Sequence, residues 1–512
     1  MSSATGFSPD VDEATASRRF ASVGIEVRAV WRDLALKLAD RLKERYGSKI
    51  HLYVRSPEEL RAFREMNAHG RWDSVSNNNV IPEAMRATDL NETEVIARAQ
   101  AFEKLSDTTF SLIACIHRHF GRGFSPGSFH YPRSKHYRDV SYIQMLHAHS
   151  ELLDFWRREI EGKGLTILLQ GDKDAAVMAR AHGILYRRLD TSRYKNYWYW
   201  TPTEYYFNPA VERAYHAMTS WPESTIEQPY SMAVAKKTWF TGHSLATSLR
   251  RAAVAALSYG YWKLRGYQKA RSFDFGEFVS FPLREHAAYR RMTGSRTIRL
   301  ADLADRRFAY FPLHKEPETS LQLMSPEYFN QHAAILSIAR DLPAGVVLAI
   351  KENLYTLGRR PTDFYDQIGD LKNVVFLHVG ESGIDCARRA AFTVTITGTA
   401  GFEAAALGRP VITFGRHNMY AMAPHVMTVI DEAQIKGFIQ RALYGVDAEK
   451  AWKDGSRFLA AAIACSFDMH NFALKTKGQT EPLLDAAVKN AFGGLIDSLG
   501  ESDVNAVLQQ AT

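Results

Sequence analysis

The sequence predicts an α/β protein of two domains, each built on a parallel sheet, with helices at the C-terminal end. At 512 residues the chain is too long for one ordinary hydrophobic core. Short β-branched apolar runs alternate with segments of helical periodicity in both halves, which is typical of parallel sheets covered by helices. The pattern is interrupted between Arg291 and Asp305, where a second alternating series begins. We therefore expect a disordered tail over 1–20, domains over 21–300 and 301–440, and C-terminal helices over 441–512.

The composition is that of a soluble globular protein, with 46% hydrophobic and 23% charged residues. No run of about 18 uncharged apolar residues occurs, so an integral membrane protein is not expected. The first twenty residues lack the basic start and apolar core of a signal peptide. Cys115, Cys386 and Cys465 form no CxxC pair, which fits a reducing compartment and argues against structural zinc. The sequence thus predicts a cytoplasmic protein without a metal site.

The net charge of +8 would suit an anionic partner such as a nucleic acid, a phospholipid surface or an acidic sugar. The basic residues occur as pairs in otherwise mixed sequence, as at Arg157-Arg158 and Arg290-Arg291. Nucleic-acid binders instead carry a long basic stripe. A nucleic acid is therefore the least expected of these partners.

In the first half, the apolar residues between Gly24 and Arg45 recur at helical spacing and predict a helix. Lys49–Val54 is the first predicted strand. Ser56 and Pro57 then have the residue types favoured at the N-cap and first position of a helix. Further helices are predicted over 92–120, 141–161 and 244–269.

A polar loop follows a short apolar strand predicted over 164–169. The loop, Gln170–Asp174, precedes a predicted helix, and open α/β sheets place ligands and catalytic groups at the carboxyl ends of their strands. Asp172 is our first candidate for a catalytic carboxylate, and Asp174 is the second. The structural alternative is that one of them caps the helix. Two carboxylates alone are a weak indication of a metal site.

Two aromatic segments have the composition of contact surfaces. The segment from Tyr194 to Phe207 is rich in tyrosine and tryptophan, whose flat rings suit stacking on a sugar or base. A core strand with alternate rings buried would explain the same pattern. From Trp262 to Arg271, basic and aromatic residues alternate, which is consistent with contact to a membrane surface.

The second half alternates strands and helices with connections of ordinary length, as Rossmann-like domains do. A strand over 307–311 is followed by a loop containing His314 and by a helix with Ile335 and Ile338 on its apolar face. Further strands are predicted over 345–350 and 373–377. The loop after the strand over 307–311, the first of this domain, lacks GxGxxG, so no dinucleotide cofactor is expected.

The stretch Phe392–Gly415 predicts a strand, a tight turn, a short helix and another strand. Val394–Thr397 is a β-branched run, Gly398–Gly401 is the turn, and Phe402–Leu407 is helix-forming. Such a turn presents backbone N–H groups at a helix N-terminus beside two hydroxyls. This arrangement suits a phosphate group.

These motifs resemble the capsule polysaccharide biosynthesis proteins that include Kdo transferases. The matching segments are YFPLHKEPETS, SPEYFNQ, IKEN, FYDQIGDLKNVVFL and TITGTAGFEAAALGRPVITFG, which fall within about Phe308 to Gly415. Asn353-Leu354 stand where such proteins usually have His-Pro. The resemblance implies a GT-B-like fold, with two Rossmann-like domains facing across a cleft. It also implies transfer of a sugar, with CMP-Kdo as the favoured donor, to a surface or capsular polysaccharide or a lipid-linked acceptor.

The resemblance further implies a nucleotide-sugar site in the second domain. The donor phosphate would be lined by Thr397, Gly398, Thr399 and Gly401. Glu403 would accept hydrogen bonds from ribose hydroxyls, with capping or packing as its alternative role. His314, counted with the catalytic candidates, and Lys351 would neutralise a phosphate or a sugar carboxylate. A loop histidine bonded to backbone and a solvated lysine are the alternatives for these two residues.

A transferase of this kind requires no metal, because fixed donors and cations stabilise the charge on the leaving nucleotide. A carboxylate on the other domain would act as base or nucleophile, which is the role expected for Asp172 with Asp174 in reserve. A non-hydrolysing nucleotide-sugar epimerase and a non-catalytic protein of capsule assembly or export stay open as alternatives. The expected partners are a nucleotide sugar, its acceptor and, through peripheral contact, the inner membrane or capsule assembly proteins; no cofactor is expected.

Overall fold

The structure is a computed structural model that describes residues 11–28, 31–115, 140–205, 207–222, 226, 244–267, 270, 275–315, 319–328, 330–360, 363–470 and 481–500. Its strands are β1 Ser22–Glu26, β2 Lys49–Val54, β3 Ser74–Asn77, β4 Ile167–Leu169, β5 Leu185–Thr191, β6 Tyr197–Thr201, β7 Arg307–Pro312, β8 Val346–Lys351, β9 Val374–Leu377, β10 Phe392–Thr395, β11 Val411–Thr413, β12 Val426–Thr428 and β13 Phe467–Asp468.

The helices are α1 Glu13–Arg19, α2 Arg32–Tyr46, α3 Pro57–Met66, α4 Ile81–Ala84, α5 Glu92–Ser106, α6 Phe110–Ala114, α7 Tyr142–Lys163, α8 Lys173–Ala181, α9 Pro209–Ala217, α10 Leu245–Leu264, α11 Phe275–Thr293, α12 Thr319–Met324, α13 Gln331–Asp341, α14 Phe364–Gly369, α15 Gly383–Arg389, α16 Thr399–Ala406, α17 Ile435–Gln440, α18 Ala448–Ala464 and α19 Glu481–Asp497.

The chain forms two compact units. Of the described residues, the first unit takes those up to Ala114, those in Val140–Thr219 and those from Ala461 onward. The second unit takes Cys115 and those in Ser220–Ala460. The division differs from the expected one, because α10 and α11 belong with the second sheet and α19 with the first. The segment predicted to separate the domains, from Arg291, begins inside α11.

The first unit contains a sheet of strand order β13-β6-β5-β4-β1-β2-β3. Strands β1 to β5 are parallel to one another, whereas β6 pairs antiparallel with β5 and β13 pairs antiparallel with β6. The order β3-β2-β1-β4-β5-β6 is that of the Rossmann fold, in which the chain reverses its direction of growth between β1 and β4.

The predicted helix over Gly24–Arg45 is wrong in its first part, which belongs to β1 and the loop after it. Strand β1 is buried along its whole length, and a Cβ added at Gly24 would lie 2.8 Å from Leu168 Cδ1. A fully buried strand has no alternation of polar and apolar residues, so its apolar run merged with the helical pattern that follows.

The prediction of a disordered tail over 1–20 is also wrong in part, because α1 lies within that range. Residues 1–10 lie outside the described residues.

The aromatic segment predicted either to stack on a ligand or to form a core strand contains β6. Tyr199 and Trp200 of this strand are buried, and the Trp200 indole Nε1 donates to the Ala491 carbonyl of α19 at 2.8 Å. The apolar face of α19, with Val488 and Leu495, joins the same core. These contacts agree with the core-strand alternative for this part of the segment.

The second unit contains a sheet of strand order β12-β11-β10-β7-β8-β9, with every pair of neighbours parallel. This is again the Rossmann order, and the chain reverses its direction of growth between β7 and β10. The strands predicted over 307–311, 345–350 and 373–377 are confirmed to within a residue at each end. The protein therefore has an α/β fold of two Rossmann-like units.

Within the described ranges, no helix combines the length and the hydrophobicity that a membrane-spanning segment needs.

Candidate functional site

The ends of β7 and β10 define the candidate site of the second unit. These two central strands lie side by side, and the chain leaves them towards opposite edges of the sheet. Loops at such a point diverge and leave a crevice, which is where open parallel sheets bind their ligands. His314 follows β7 by two residues, and the turn from Ile396 to Gly398 follows β10.

His314 is buried and braces this turn. Its Nε2 accepts a hydrogen bond from the backbone N–H of Thr397 at 3.0 Å and lies 3.1 Å from Thr395 Oγ1. Because an N–H can only donate, Nε2 carries no proton, and Nδ1 therefore donates to Gln331 Oε1 at 3.2 Å. Thr395 Oγ1 in turn accepts from the N–H of Gly398 at 3.0 Å. In this arrangement His314 is a neutral imidazole whose Nε2 is bonded to the backbone of Thr397.

The turn leaves two backbone donors at the start of α16. Gly398 is the N-cap residue, has no side chain to cap the helix, and accepts from the N–H of Gly401 at 3.1 Å. Among the described residues, no group accepts a hydrogen bond from the N–H of Thr399 or Ala400. The Thr399 residue is exposed, whereas Thr397 is buried. The start of α16 thus offers two N–H groups, a hydroxyl and the positive end of a helix dipole, which together suit an anion.

Two glycines are required here by close packing. A Cβ added at Gly398 would lie 2.9 Å from Thr395 Oγ1 and 3.0 Å from His314 Nε2. One added at Gly401 would lie 2.3 Å from the Tyr420 hydroxyl. Contacts this short require a neighbouring group to move, so a larger residue at either position would disturb the packing around the start of α16.

The remaining two predicted binding residues lie at different places on this edge. Glu403 is half-buried on α16 and lies near the buried Tyr310. Burial raises the pKa of Tyr310 well above its ordinary value, and the charges of Cys386 and Glu403 raise it further. Lys351 ends β8, and its Nζ donates to the Glu352 carbonyl at 3.3 Å. Lys351 also lies near His378 at the end of β9, where its charge is among the causes, after burial, that lower the pKa of that histidine.

Sequence reasoning missed a buried ion pair that supports His314. Glu352 accepts hydrogen bonds from the Thr356 hydroxyl at 2.6 Å and from the Arg360 guanidinium at 2.9 Å. Arg360 also donates to the His314 carbonyl at 2.7 Å. Burial alone would raise the pKa of Glu352, but the charge and hydrogen bonds of Arg360 hold it below its ordinary value. The signal was present in IKEN, where Lys351 was selected and its neighbour was not.

The first unit places a cluster of charges at the corresponding point of its own sheet. Glu26 ends β1, Arg55 follows β2, and Asp172 follows β4 by three residues. Arg28 donates to Asp172 Oδ1 at 2.6 Å and to the Gln170 carbonyl at 3.1 Å. Arg55 bridges Glu26 and Asp172. The side chain of Asp172 is 24% exposed, so solvent or a substrate can reach it.

Asp172 occupies the N-cap position of α8, but its side chain makes no capping hydrogen bond. Its carboxylate is directed to Arg28 and Arg55 instead. The preceding Gln170 has a left-handed backbone with φ of 68°, which a residue other than glycine adopts at an energetic cost. Strain of this kind concentrates at functional sites.

Asp174, in the first turn of α8, is buried, and its Oδ2 accepts from the Trp156 indole Nε1 at 2.7 Å. Burial raises the pKa of Asp174 from its ordinary value to about 7, and the charges of Asp172 and Glu26 act in the same direction. Near neutral pH both the protonated and the ionised form of this carboxyl are therefore populated.

Sequence reasoning also missed Glu26, Arg28 and Arg55. The rule that selected Asp172, a polar residue just after a strand, would have found Arg55 after the predicted strand Lys49–Val54. Glu26 and Arg28 were hidden because β1 was assigned to a helix.

Within the described residues, no group of three or more His, Cys, Asp or Glu side chains could hold a metal ion.

Comparison with known proteins gives similarity to solved structures only. No protein-family model and no curated protein matches the chain. A β-Kdo 2,4 transferase, KpsC of Thermosulfurimonas dismutans, is 14% identical over 59% of this chain and 80% of its own, with a TM-score of 0.30. The UDP-GlcNAc 2-epimerase of Neisseria meningitidis is 11% identical over 86% of this chain and 96% of its own, with a TM-score of 0.24. A glycotransferase of kitacinnamycin is 13% identical over 86% and 96%, with a TM-score of 0.26. These identities and TM-scores are low.

Proposed function

We propose that the protein is a metal-independent glycosyltransferase. In this proposal it moves a sugar from a nucleotide donor, with CMP-Kdo favoured by the sequence resemblance, to a surface or capsular polysaccharide or a lipid-linked acceptor. The observation that supports it most is the start of α16, where two N–H groups without an acceptor among the described residues lie at the reversal point of a parallel sheet. A phosphate is the group such a site binds best.

The second unit would bind the donor. The N–H groups of Thr399 and Ala400, with the Thr399 hydroxyl, would stabilise the charge that develops on the leaving nucleotide. His314 would act as a positioning residue, because its Nε2 is already bonded to Thr397 and holds the turn in place. Glu403 would accept from ribose hydroxyls, and Lys351 would contribute positive charge at the same edge of the sheet. Fixed donors perform here what a metal performs in other transferases.

The first unit would bind and activate the acceptor. Asp172 would take the proton of the attacking hydroxyl, or attack the donor itself if the configuration is retained. Arg28 and Arg55 would orient its carboxylate. Asp174 would be the reserve group, since a pKa of about 7 suits a residue that both accepts and releases a proton.

The Asp172→Asn variant tests this assignment. Nucleotide release from CMP-, UDP- and GDP-sugars is measured with and without a lipid-linked oligosaccharide acceptor. We expect acceptor-dependent release by the parent, and a loss of at least about a hundredfold in the variant with unchanged nucleotide affinity. Asp40→Asn is the matched control, because Asp40 is also an arginine-paired aspartate of the first unit.

Three outcomes would contradict the proposal. Full transfer by the Asp172→Asn variant would remove Asp172 from the mechanism. Conversion of a nucleotide sugar without any acceptor would indicate an epimerase. Absence of release from every donor would favour a non-catalytic role in capsule assembly or export.

A further inference from the structure

One segment of the chain carries an excess of positive charge as large as the net charge of the whole chain. Residues 228–273 contain eight Lys and Arg residues and neither Asp nor Glu. The other 56 basic residues of the chain are balanced by its 56 acidic residues, so this segment accounts for the whole net charge of +8. The basic pairs that look dispersed along the sequence therefore conceal a strong local excess. Such an excess attracts an anionic surface.

Helix α10 lies within this segment and is fixed on one side. Its buried residues Ser248, Ala252 and Tyr259 share one face. The Tyr259 ring lies 5.2 Å from that of Phe275 on α11, and Arg251 pairs with Glu285 of α11 at 2.5 Å. Helix α11 thus holds the orientation of α10, and determines which side of it faces outward.

The outward side is apolar. Val254, Leu257, Tyr261 and Leu264 recur at a spacing of three or four residues and so lie along one face. Leu257 is 75% exposed and Leu264 is 89% exposed. Arg250 precedes this row by one turn and Arg265 ends it, and both are exposed. A row of exposed large apolar side chains beside positive charge marks an interaction surface.

We propose that this outer face of α10 binds an anionic lipid surface, with the helix axis parallel to the membrane plane. Leucine side chains gain free energy by entering the acyl boundary, while arginine heads remain among the phosphates. The absence of acidic residues from 228–273 removes the repulsion that anionic headgroups would otherwise exert. The described helices include none that could span the bilayer, so the helix lies on the membrane.

Two other partners fit these features less well. Nucleic acid would be attracted by the charge but offers no apolar phase for Leu257 and Leu264, both of which are aliphatic and cannot stack as aromatic rings do. A second copy of the chain would bring two positively charged faces together, which is unfavourable. An anionic membrane satisfies both the charge and the apolar row.

Flotation with lipid vesicles tests the proposal through the charge. We expect the full chain to bind vesicles of phosphatidylcholine and phosphatidylglycerol in equal parts, to bind phosphatidylcholine alone far less, and to lose binding as salt rises. Arg250→Gln with Arg265→Gln should weaken partition about thirtyfold, since each basic residue near the surface contributes about a fivefold factor. Arg61→Gln with Arg64→Gln removes two exposed charges from α3 and should leave partition unchanged.

A second pair of variants tests the apolar row. Leu257→Ser with Leu264→Ser should weaken partition about a hundredfold, because two leucines no longer enter the lipid. Leu336→Ser with Ile430→Ser removes two exposed aliphatic side chains elsewhere in the second unit and should have no effect. Circular dichroism checks that each variant is folded, and nucleotide affinity in solution should not change. Failure of vesicle binding would therefore leave the proposed transfer reaction standing.

Equal partition on neutral and anionic vesicles, or equal weakening by the control variants, would overturn the proposal. Unchanged vesicle binding by the leucine variant, together with a change in its oligomeric state, would show instead that the face joins two copies. If the arginine variant lost the salt-dependent retention on single-stranded DNA that the parent shows, while its vesicle binding was unaffected, the face would be a nucleic-acid surface.

Discussion

Asp172 and Asp174 are separated by a single residue, yet their surroundings differ. Asp172 is partly exposed and paired with two guanidinium groups. Asp174 is buried against the Trp156 indole, and its pKa is raised to about 7. A carboxyl whose pKa is raised towards neutrality by burial is a common feature of enzymes that move protons. The difference follows from burial, which the sequence of the loop does not encode by itself.

Replacement of Asp174 by Asn should change the pH dependence of stability. The native pKa of about 7 lies above the ordinary value of 3.8, so the folded chain binds the proton more tightly than the unfolded chain between these values. The free energy of unfolding should therefore fall as pH rises from about 4 to about 7, by up to about 1.4 kcal/mol per pH unit from this group. Asn cannot ionise but can still accept from the indole.

Urea unfolding of the parent and the Asp174→Asn variant at several pH values measures this contribution. The difference between the two free energies should change across that window and stay constant above about pH 8. Parallel curves across the whole range would show that Asp174 titrates near its ordinary value.

The residues that sequence reasoning selected and missed differ in one physical respect. Asp172 stands in a loop between a recognisable strand and a recognisable helix, so its position at a strand end was predictable. Arg28 and Glu26 depend on β1, whose short buried run lacks a periodic signal. The contact of Arg28 with Asp172 joins residues 144 positions apart in sequence and arises only when β1 and β4 pair. No local pattern contains that information.

At the scale of elements, the start of α16 depends on groups from three other elements. His314 follows β7, Gln331 begins α13, and Arg360 follows the turn after β8. Arg360 and Glu352 are almost completely buried as a pair. Because a buried charge without its partner is costly, this pair is expected to stabilise the loop that holds His314.

The Arg360→Met variant should lower the free energy of unfolding by about 3–5 kcal/mol, since it leaves the Glu352 carboxylate buried and uncompensated. Arg340→Met is the control, because Arg340 pairs with Asp341 on the surface and is 56% exposed. That change should cost about 1 kcal/mol or less. Equally small losses in urea unfolding of the two variants would show that the buried pair does not support the fold.

Most elements of the second unit were predictable because each satisfies a local rule. Its strands are β-branched apolar runs bounded by turn residues, and Gly408, with a left-handed φ of 66°, lies just past the end of α16 as a C-terminal glycine does. The order of the strands in the sheet was not predictable from these runs. Order is set by packing between elements distant in sequence, and it decides which strand ends meet.

At the scale of the whole molecule, each unit repeats the same strand order and carries polar groups where its chain reverses direction. The expected boundaries followed chain position, whereas α19 returns to the first unit and packs beside β6. A chain that crosses from one unit to the other and back cannot be divided by sequence order alone. The presence of two Rossmann-like domains was nevertheless predictable, because both halves show the alternating pattern.

Calorimetric titration with CMP, UDP and GDP measures whether a nucleotide phosphate binds at the start of α16. We expect the parent to bind one of these nucleotides. The Gly398→Ala variant should bind it at least about tenfold more weakly, because the added Cβ would meet Thr395 and His314 and displace the N–H groups.

Gly437→Ala on α17 is the matched control, since a Cβ added there meets nothing within 4 Å, and it should bind as the parent does. Urea unfolding shows whether the Gly398→Ala variant remains folded. Selective loss of nucleotide affinity in a folded Gly398→Ala variant is the predicted result. Equal affinity in the parent and both variants, or no affinity of the parent for any of the three nucleotides, would show that no nucleotide phosphate binds at the start of α16.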